Sequence, residues 1–157
     1  MIDHIYTYFT IEMIFLWLNL GVLPFWMILI IFPQSQICRV FITSIFPIFI
    51  LSLTYSYLLY LFYNEGYDFL RNFELYMGLD AISNLFVDRS FVILFWTHFL
   101  SMNLFCGGWI VKDSQKFGIN KILLSFPLLI TYFIGPIGLT LYWIIRIFYA
   151  KRISLYD

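Results

Sequence analysis

The sequence predicts an all-α integral membrane bundle of four transmembrane helices, with a short interfacial helix between the second and third. Three observations carry this prediction. Hydrophobic residues make up 62% of the 157 residues and charged residues 11%, against about 45–50% and about 25% in soluble domains. Four windows are apolar over the ~20 residues that ~30 Å of hydrocarbon requires. The charges collect between those windows. A soluble domain of this length has too little interior to hide so much Phe, Ile, Leu and Tyr from water. The chain is therefore read as a single membrane domain, 1–157.

The first window runs from about Ile11 to Phe32 and stops at Pro33. It is too long for a signal-peptide core and no A-x-A site follows, so it is read as retained. The second runs from about Val40 to Tyr63, before Asn64-Glu65-Gly66. The third, about Phe91 to Val111, ends in Lys112-Asp113-Ser114. The fourth, about Ile122 to Tyr149, ends in Lys151-Arg152. At that length a tilt or a kink at Pro136 is expected.

The long link, about 66–88, carries Asp68, Glu74, Asp80 and Asp88. Phe69, Leu70, Phe73 and Met77 recur in it at helical spacing, the pattern of a helix lying in the interface. A polar-faced connector is the plainer reading of the same stretch, and a binding lid the functional one.

With four crossings both termini share a side with the long link. That side has Arg71, Arg89, Arg146, Lys151 and Arg152, and the other has Arg39, Lys112, Lys116 and Lys121. Five against four gives the positive-inside rule nothing to decide on.

Zero net charge and the absence of a basic patch exclude nucleic acid as a partner. Cys38 and Cys106 form no CxxC pair and no metal-spaced cluster. They read as two buried apolar thiols, with a bridge between them the rarer alternative. No P-loop, GxGxxG, GxSxG or HExxH occurs. No cofactor and no metal are expected.

Polar groups at membrane depth are costly and are functional candidates by default, with structural pairing as the competitor. His98 lies about a third of the way into the third window. Met102, Phe105, Trp109 and Lys112 or Asp113 follow it at steps of 3–4 residues. A neutral imidazole can donate with one nitrogen and accept with the other, which suits proton transfer. It suits a bond to a neighbouring helix equally. Glu12, Asn19 and Trp26 recur every seven residues on the first helix. Asn19 lies deep and must find a hydrogen-bond partner. Pro127, Thr131, Gly135 and Gly138 share a face of the fourth window, where small residues let backbones approach closely. Gly135-Pro136 reads as a break that lines a cavity. Aromatics, 23% of the chain, serve either as a slot for a flat conjugated or isoprenoid ligand or as lipid-facing filler.

The run Trp96-Thr97-His98-Phe99-Leu100-Ser101-Met102-Asn103-Leu104-Phe105-Cys106-Gly107-Gly108-Trp109-Ile110, then Asp113-Ser114, resembles the signature of the abscisic-acid-deficient-four family. Asn19, Leu23-Pro24-Phe25-Trp26 and Pro33 resemble that family's first helix. Pro127, Gly135-Pro136-Ile137-Gly138-Leu139, Tyr142 and Arg146 resemble its last. The resemblance spans nearly the whole chain and implies a carotenoid- or isoprenoid-related membrane protein. The family's plant members are linked to neoxanthin synthesis from the epoxycarotenoid violaxanthin.

That conversion opens an epoxide and creates an allene without a redox cofactor. It needs an acid at the epoxide oxygen and a base for a ring-adjacent proton. By inference from that chemistry, not from the family, His98 and Asp113 are the catalytic candidates, with Asn19, Trp26, Asn103 and Trp109 as candidates for binding substrate. Where the family has Asp and Arg, this chain has Asn103 and Gly108. Their joint loss leaves no orphan charge, and if the pair is catalytic it predicts inactivity in that chemistry.

The reading is a cofactor-free isomerase of epoxycarotenoids in a bacterial cell membrane. The alternative is a non-enzymatic accessory or packing subunit of a larger membrane complex. A transporter ranks third, because four helices must dimerise to form inverted repeats. The expected partners are membrane lipid, a carotenoid or isoprenoid ligand, and a second copy or a larger complex.

Overall fold

The computed structural model describes residues 10–151, so Arg152 lies outside the described residues. These are all-helical, with no strand among them. Helix α1 spans Ile11–Ile31, a π-helical turn spans Cys38–Ile42, and α2 spans Phe46–Asn64. A 3₁₀ helix at Phe69–Tyr76 precedes α3, Leu79–Leu85. Then come α4, Arg89–Lys116, α5, Lys121–Phe133, and α6, Gly135–Ala150. Three of these, α1, α2 and α4, are long and apolar enough to cross a membrane.

Three expectations are corrected. The second window starts later, because Ser44 Oγ accepts from Phe46 N at 3.1 Å and starts α2 there, leaving Cys38–Ile42 as a separate turn. The link is two short elements rather than one helix, divided at Gly78, whose φ of 135° suits glycine. The fourth window is two helices rather than one kinked span. Ile134 leaves helical geometry at φ −140°, ψ 84°, and Pro136 offers no N–H to carry the helix on.

The chain forms two compact units, Met1–Leu20 with Ile50–Leu100, and Gly21–Phe49 with Ser101–Asp157. In the first unit, Leu58, Phe62 and Leu85 are fully buried. Trp96 Nε1 donates to Asn19 Oδ1 at 3.2 Å, and Asn19 Nδ2 donates to Phe15 O at 2.7 Å. Arg89 Nη2 meets Glu12 Oε1 at 2.5 Å. In the link, Asp68 caps the 3₁₀ helix through Leu70 N, and Arg71 pairs with Asp88 at 3.3 Å. The 3₁₀ helix buries none of its residues, and Leu70, Phe73, Tyr76 and Met77 are exposed.

In the second unit the contacts give each helix a direction. Gln115 Nε2 donates to Pro33 O at 2.8 Å, and Gly107 packs against Trp26. The end of α4 therefore runs parallel to the end of α1. Ser125 Oγ donates to Ile30 O at 3.0 Å, and Tyr132 meets the Trp26 ring edge-on at 5.4 Å. So α5 runs back along α1 in the opposite sense. Gly135 lies against Asn103, and Arg146 Nε meets Asp113 at 2.6 Å. So α6 turns again and follows α4.

The pair α5 and α6 is a helical hairpin. It starts and finishes at the Asp113 end of α4, and its tip lies at Asn103. The rises agree: Asn103 to Asp113 is about 15 Å of helix and Gly135 to Arg146 about 16 Å, at ~1.5 Å per residue. At the tip α5 and α6 approach so closely that a Cβ on Gly138 would collide with the Thr131 backbone. The small-residue stripe read from the sequence is this close approach, made within the hairpin.

Candidate functional site

The sequence makes Arg146 expensive. It sits twelve positions into an apolar helix, and a cation there must be paired and hydrogen-bonded. The fold brings it to Asp113. Arg146 Nε donates to Asp113 Oδ2 at 2.6 Å, and Tyr142 Oη donates to the same oxygen at 2.6 Å. Tyr142 and Arg146 are one helical turn apart, so both reach one carboxylate. Arg146 is 1% exposed and Asp113 4%. The guanidinium carbon lies 4.9 Å from the Phe117 ring centroid and 5.0 Å from that of Trp143. Trp109 closes the cluster, edge-on to Tyr142 at 5.7 Å and stacked on Trp143 at 6.4 Å.

Only Nε of Arg146 binds the carboxylate, so the pair lacks the two-pronged geometry open to a guanidinium. Arg146 Nη1 is buried with no hydrogen-bond partner. A buried, charged, unpartnered N–H inside an aromatic cage is chemically a donor for an oxygen.

A family model matches residues 13–142. The chain belongs to the ABA DEFICIENT 4-like family. No curated relative and no solved structure matches it. Membership relates the chain to the carotenoid and abscisic-acid pathway. The matched stretch contains Asp113, Trp109 and Tyr142 and stops four residues before Arg146.

Of the residues singled out from the sequence, Asp113 and Trp109 come together in this cluster. Trp26 is buried against Gly107 and Tyr132. Asn19 is held by Trp96 in the first unit. Asn103 is 6% exposed, and its Nδ2 has no partner. His98 is exposed, as are Phe95, Met102 and Phe105 on α4.

His98 and Asp113 lie fifteen positions apart on α4, His98 in the first unit and Asp113 in the second. The sequence reading missed Arg146, Tyr142, Trp143 and Phe117 as site residues. The available signal was an Arg one turn after a Tyr in an apolar helix, which demands a carboxylate partner.

A concavity lies in the first unit, away from this cluster's residues. It is a groove of about 270 Å³ lined by Ile11, Glu12, Phe15, Phe86, Arg89 and Ile93 among others. Its wall is apolar except for the Glu12–Arg89 pair, and His98 is not part of it.

Proposed function

We propose that this protein binds an oxygenated carotenoid or related isoprenoid in the membrane and isomerises its epoxide without a cofactor. Family membership supports the pathway. The observation that carries the chemistry is the unpartnered, buried Nη1 of Arg146 beside the Asp113 carboxylate.

The reaction conserves atoms. The C–O bond breaks at the ring carbon that joins the polyene. The adjacent chain carbon loses its proton, and that electron pair becomes the new double bond of the allene. The oxygen stays on its other carbon and ends as a hydroxyl. Arg146 Nη1 holds the oxygen as charge develops on it, and Asp113 takes the carbon-bound proton and returns it to the oxygen. Tyr142 holds Asp113 Oδ2 in place. Trp109 and Trp143 form apolar walls that keep water out. In this reading Arg146 acts on the oxygen, and His98, a candidate from the sequence, has no part.

The membrane reading has three crossings, α1, α2 and α4, followed by α5 and α6 as a re-entrant hairpin. Helices of 13 and 16 residues are ~20–24 Å long and fall short of the ~30 Å core. The termini then lie on opposite sides. Among the described residues, Arg39, Lys112, Lys116, Lys121, Arg146 and Lys151 share the C-terminal side, leaving Arg71 and Arg89 with the N-terminus. Six against two makes the C-terminal side cytoplasmic. The link lies in the opposite interface, supported by the exposed Leu70, Phe73 and Met77.

The test is incubation of the purified protein in mild detergent with an epoxycarotenoid, followed by chromatography. An isomer of equal mass, with absorption moved to shorter wavelength because the conjugated chain is one bond shorter, is expected from the wild type and not from Arg146→Met. An unchanged epoxide removes the isomerase. One observation favours the accessory-subunit reading in that event: His98 on the exposed face of α4 beside Phe95, Met102 and Phe105, where a partner helix would satisfy the imidazole better than lipid.

A further inference from the structure

We infer that the tip of the α5–α6 hairpin is a second binding point, for an acceptor oxygen of an oxygenated isoprenoid. The ligand class rests on the proposed function; the site does not. Asn103 is the fifteenth residue of the 28-residue α4, so the tip stands at mid-depth of a membrane-crossing helix.

Two independent observations meet there. The Asn103 side chain is 6% exposed, and its Nδ2 has no partner. It lies against Gly135, where a Cβ would collide with Oδ1 and sit 3.8 Å from Nδ2. Gly135 also opens α6, a 16-residue helix whose N-terminus has no side-chain cap. The N–H groups of Gly135 and Ile137 point out of its first turn, and Pro136 contributes none.

The unpartnered Nδ2 and the N–H groups of the helix start are donors, with the positive end of the helix dipole behind them, while the amide Oδ1, the acceptor, is the atom packed nearest Gly135. Broken helices at membrane depth use such N-termini to hold ligand oxygens, and unwound backbone is tolerated there only where protein or a cavity surrounds it. The matching group is an oxygen with free lone pairs: a carbonyl, an epoxide or a hydroxyl. The tip stands about 15 Å of helix from Asp113, so it takes a different oxygen from the one at Arg146. An isoprenoid carrying oxygen at more than one position spans that gap.

A carboxylate in place of the Asn103 amide has no N–H to give and repels a ligand oxygen.

The experiment expresses wild type, Asn103→Leu and Asn103→Asp in a host making both hydrocarbon and oxygenated carotenoids. Pigments extracted from each purified protein are compared with those of the membrane. The wild type is expected to enrich the oxygenated pigments. Both variants are expected to lose that preference about fivefold, the equivalent of one neutral hydrogen bond, while keeping the helical circular dichroism of the wild type. Asn103→Asp keeps the shape of the side chain and reads the same loss should Asn103→Leu not fold. An equal pigment ratio in wild type and variants overturns the inference, as does a wild type that holds no oxygenated pigment. Enrichment without conversion sinks the isomerase and leaves the tip site standing, because the readout is composition rather than turnover.

Discussion

Asp113→Ala is expected to be the most damaging single substitution in the second unit. The carboxylate accepts from both Arg146 Nε and Tyr142 Oη, in surroundings where Arg146 is 1% exposed. Its removal leaves a buried guanidinium with Nε and Nη1 both unpartnered. Breaking a buried pair from one side costs about 3–5 kcal/mol, and the stranded tyrosine hydroxyl adds about 1 kcal/mol. The sum, about 4–6 kcal/mol, corresponds to roughly 10–20 °C in Tm. Glu12→Ala is the control. Its pair with Arg89 has side chains 59% and 72% exposed, so its loss costs about 0–1 kcal/mol. The double variant Asp113→Leu with Arg146→Met removes both charges and should recover most of the loss. Thermal unfolding in mild detergent, followed by the fluorescence of Trp109 and Trp143, ranks the three. A single variant no less stable than Glu12→Ala, or a double variant no better than Asp113→Ala, refutes the buried-pair reasoning.

Burial pushes the Cys38 thiol up to about 11, so the thiolate is scarce at neutral pH. Maleimide labelling of a Cys106→Ser protein, which leaves Cys38 as its sole thiol, should be slow at pH 7–8 and accelerate only as pH approaches 11; ready labelling at pH 7 contradicts this. Gly107→Ala places a Cβ 2.7 Å from Trp26 Cη2 and should cost about 1–3 kcal/mol by overpacking, read as a lower Tm. Trp96→Phe keeps the ring but removes the N–H donated to Asn19. It should cost about 0.5–1.5 kcal/mol, with a loss near zero assigning that bond no weight.

The membrane class and the limits of α1 were legible because apolar length is a local property of the sequence. The fourth window misled for a physical reason. Hydropathy counts apolar residues and is blind to direction, so two short helices joined at Ile134 read like one long span. The residues that turn the chain, Gly135, Pro136 and Gly138, were visible as a break, but only the contact of Gly138 with Thr131 shows that the chain doubles back. Arg146 was counted as a terminal charge because the sequence does not show that Asp113 faces it across 33 residues. Asn19 was legible as a group needing a partner; that Trp96 supplies it depends on which face of α4 turns inward.

The central claim is that the site is carried on a hairpin that enters and leaves the membrane on one side, after three crossings. The most direct measurement places a sided reporter, such as a periplasm-active phosphatase and a cytoplasm-active fluorescent protein, at each terminus in turn in a bacterial host. Three crossings and a re-entrant hairpin put the N-terminus outside and the C-terminus in the cytoplasm. Both termini on the same side would mean a fourth crossing, and the hairpin that brings Gly135 to Asn103 and Arg146 to Asp113 would be wrong.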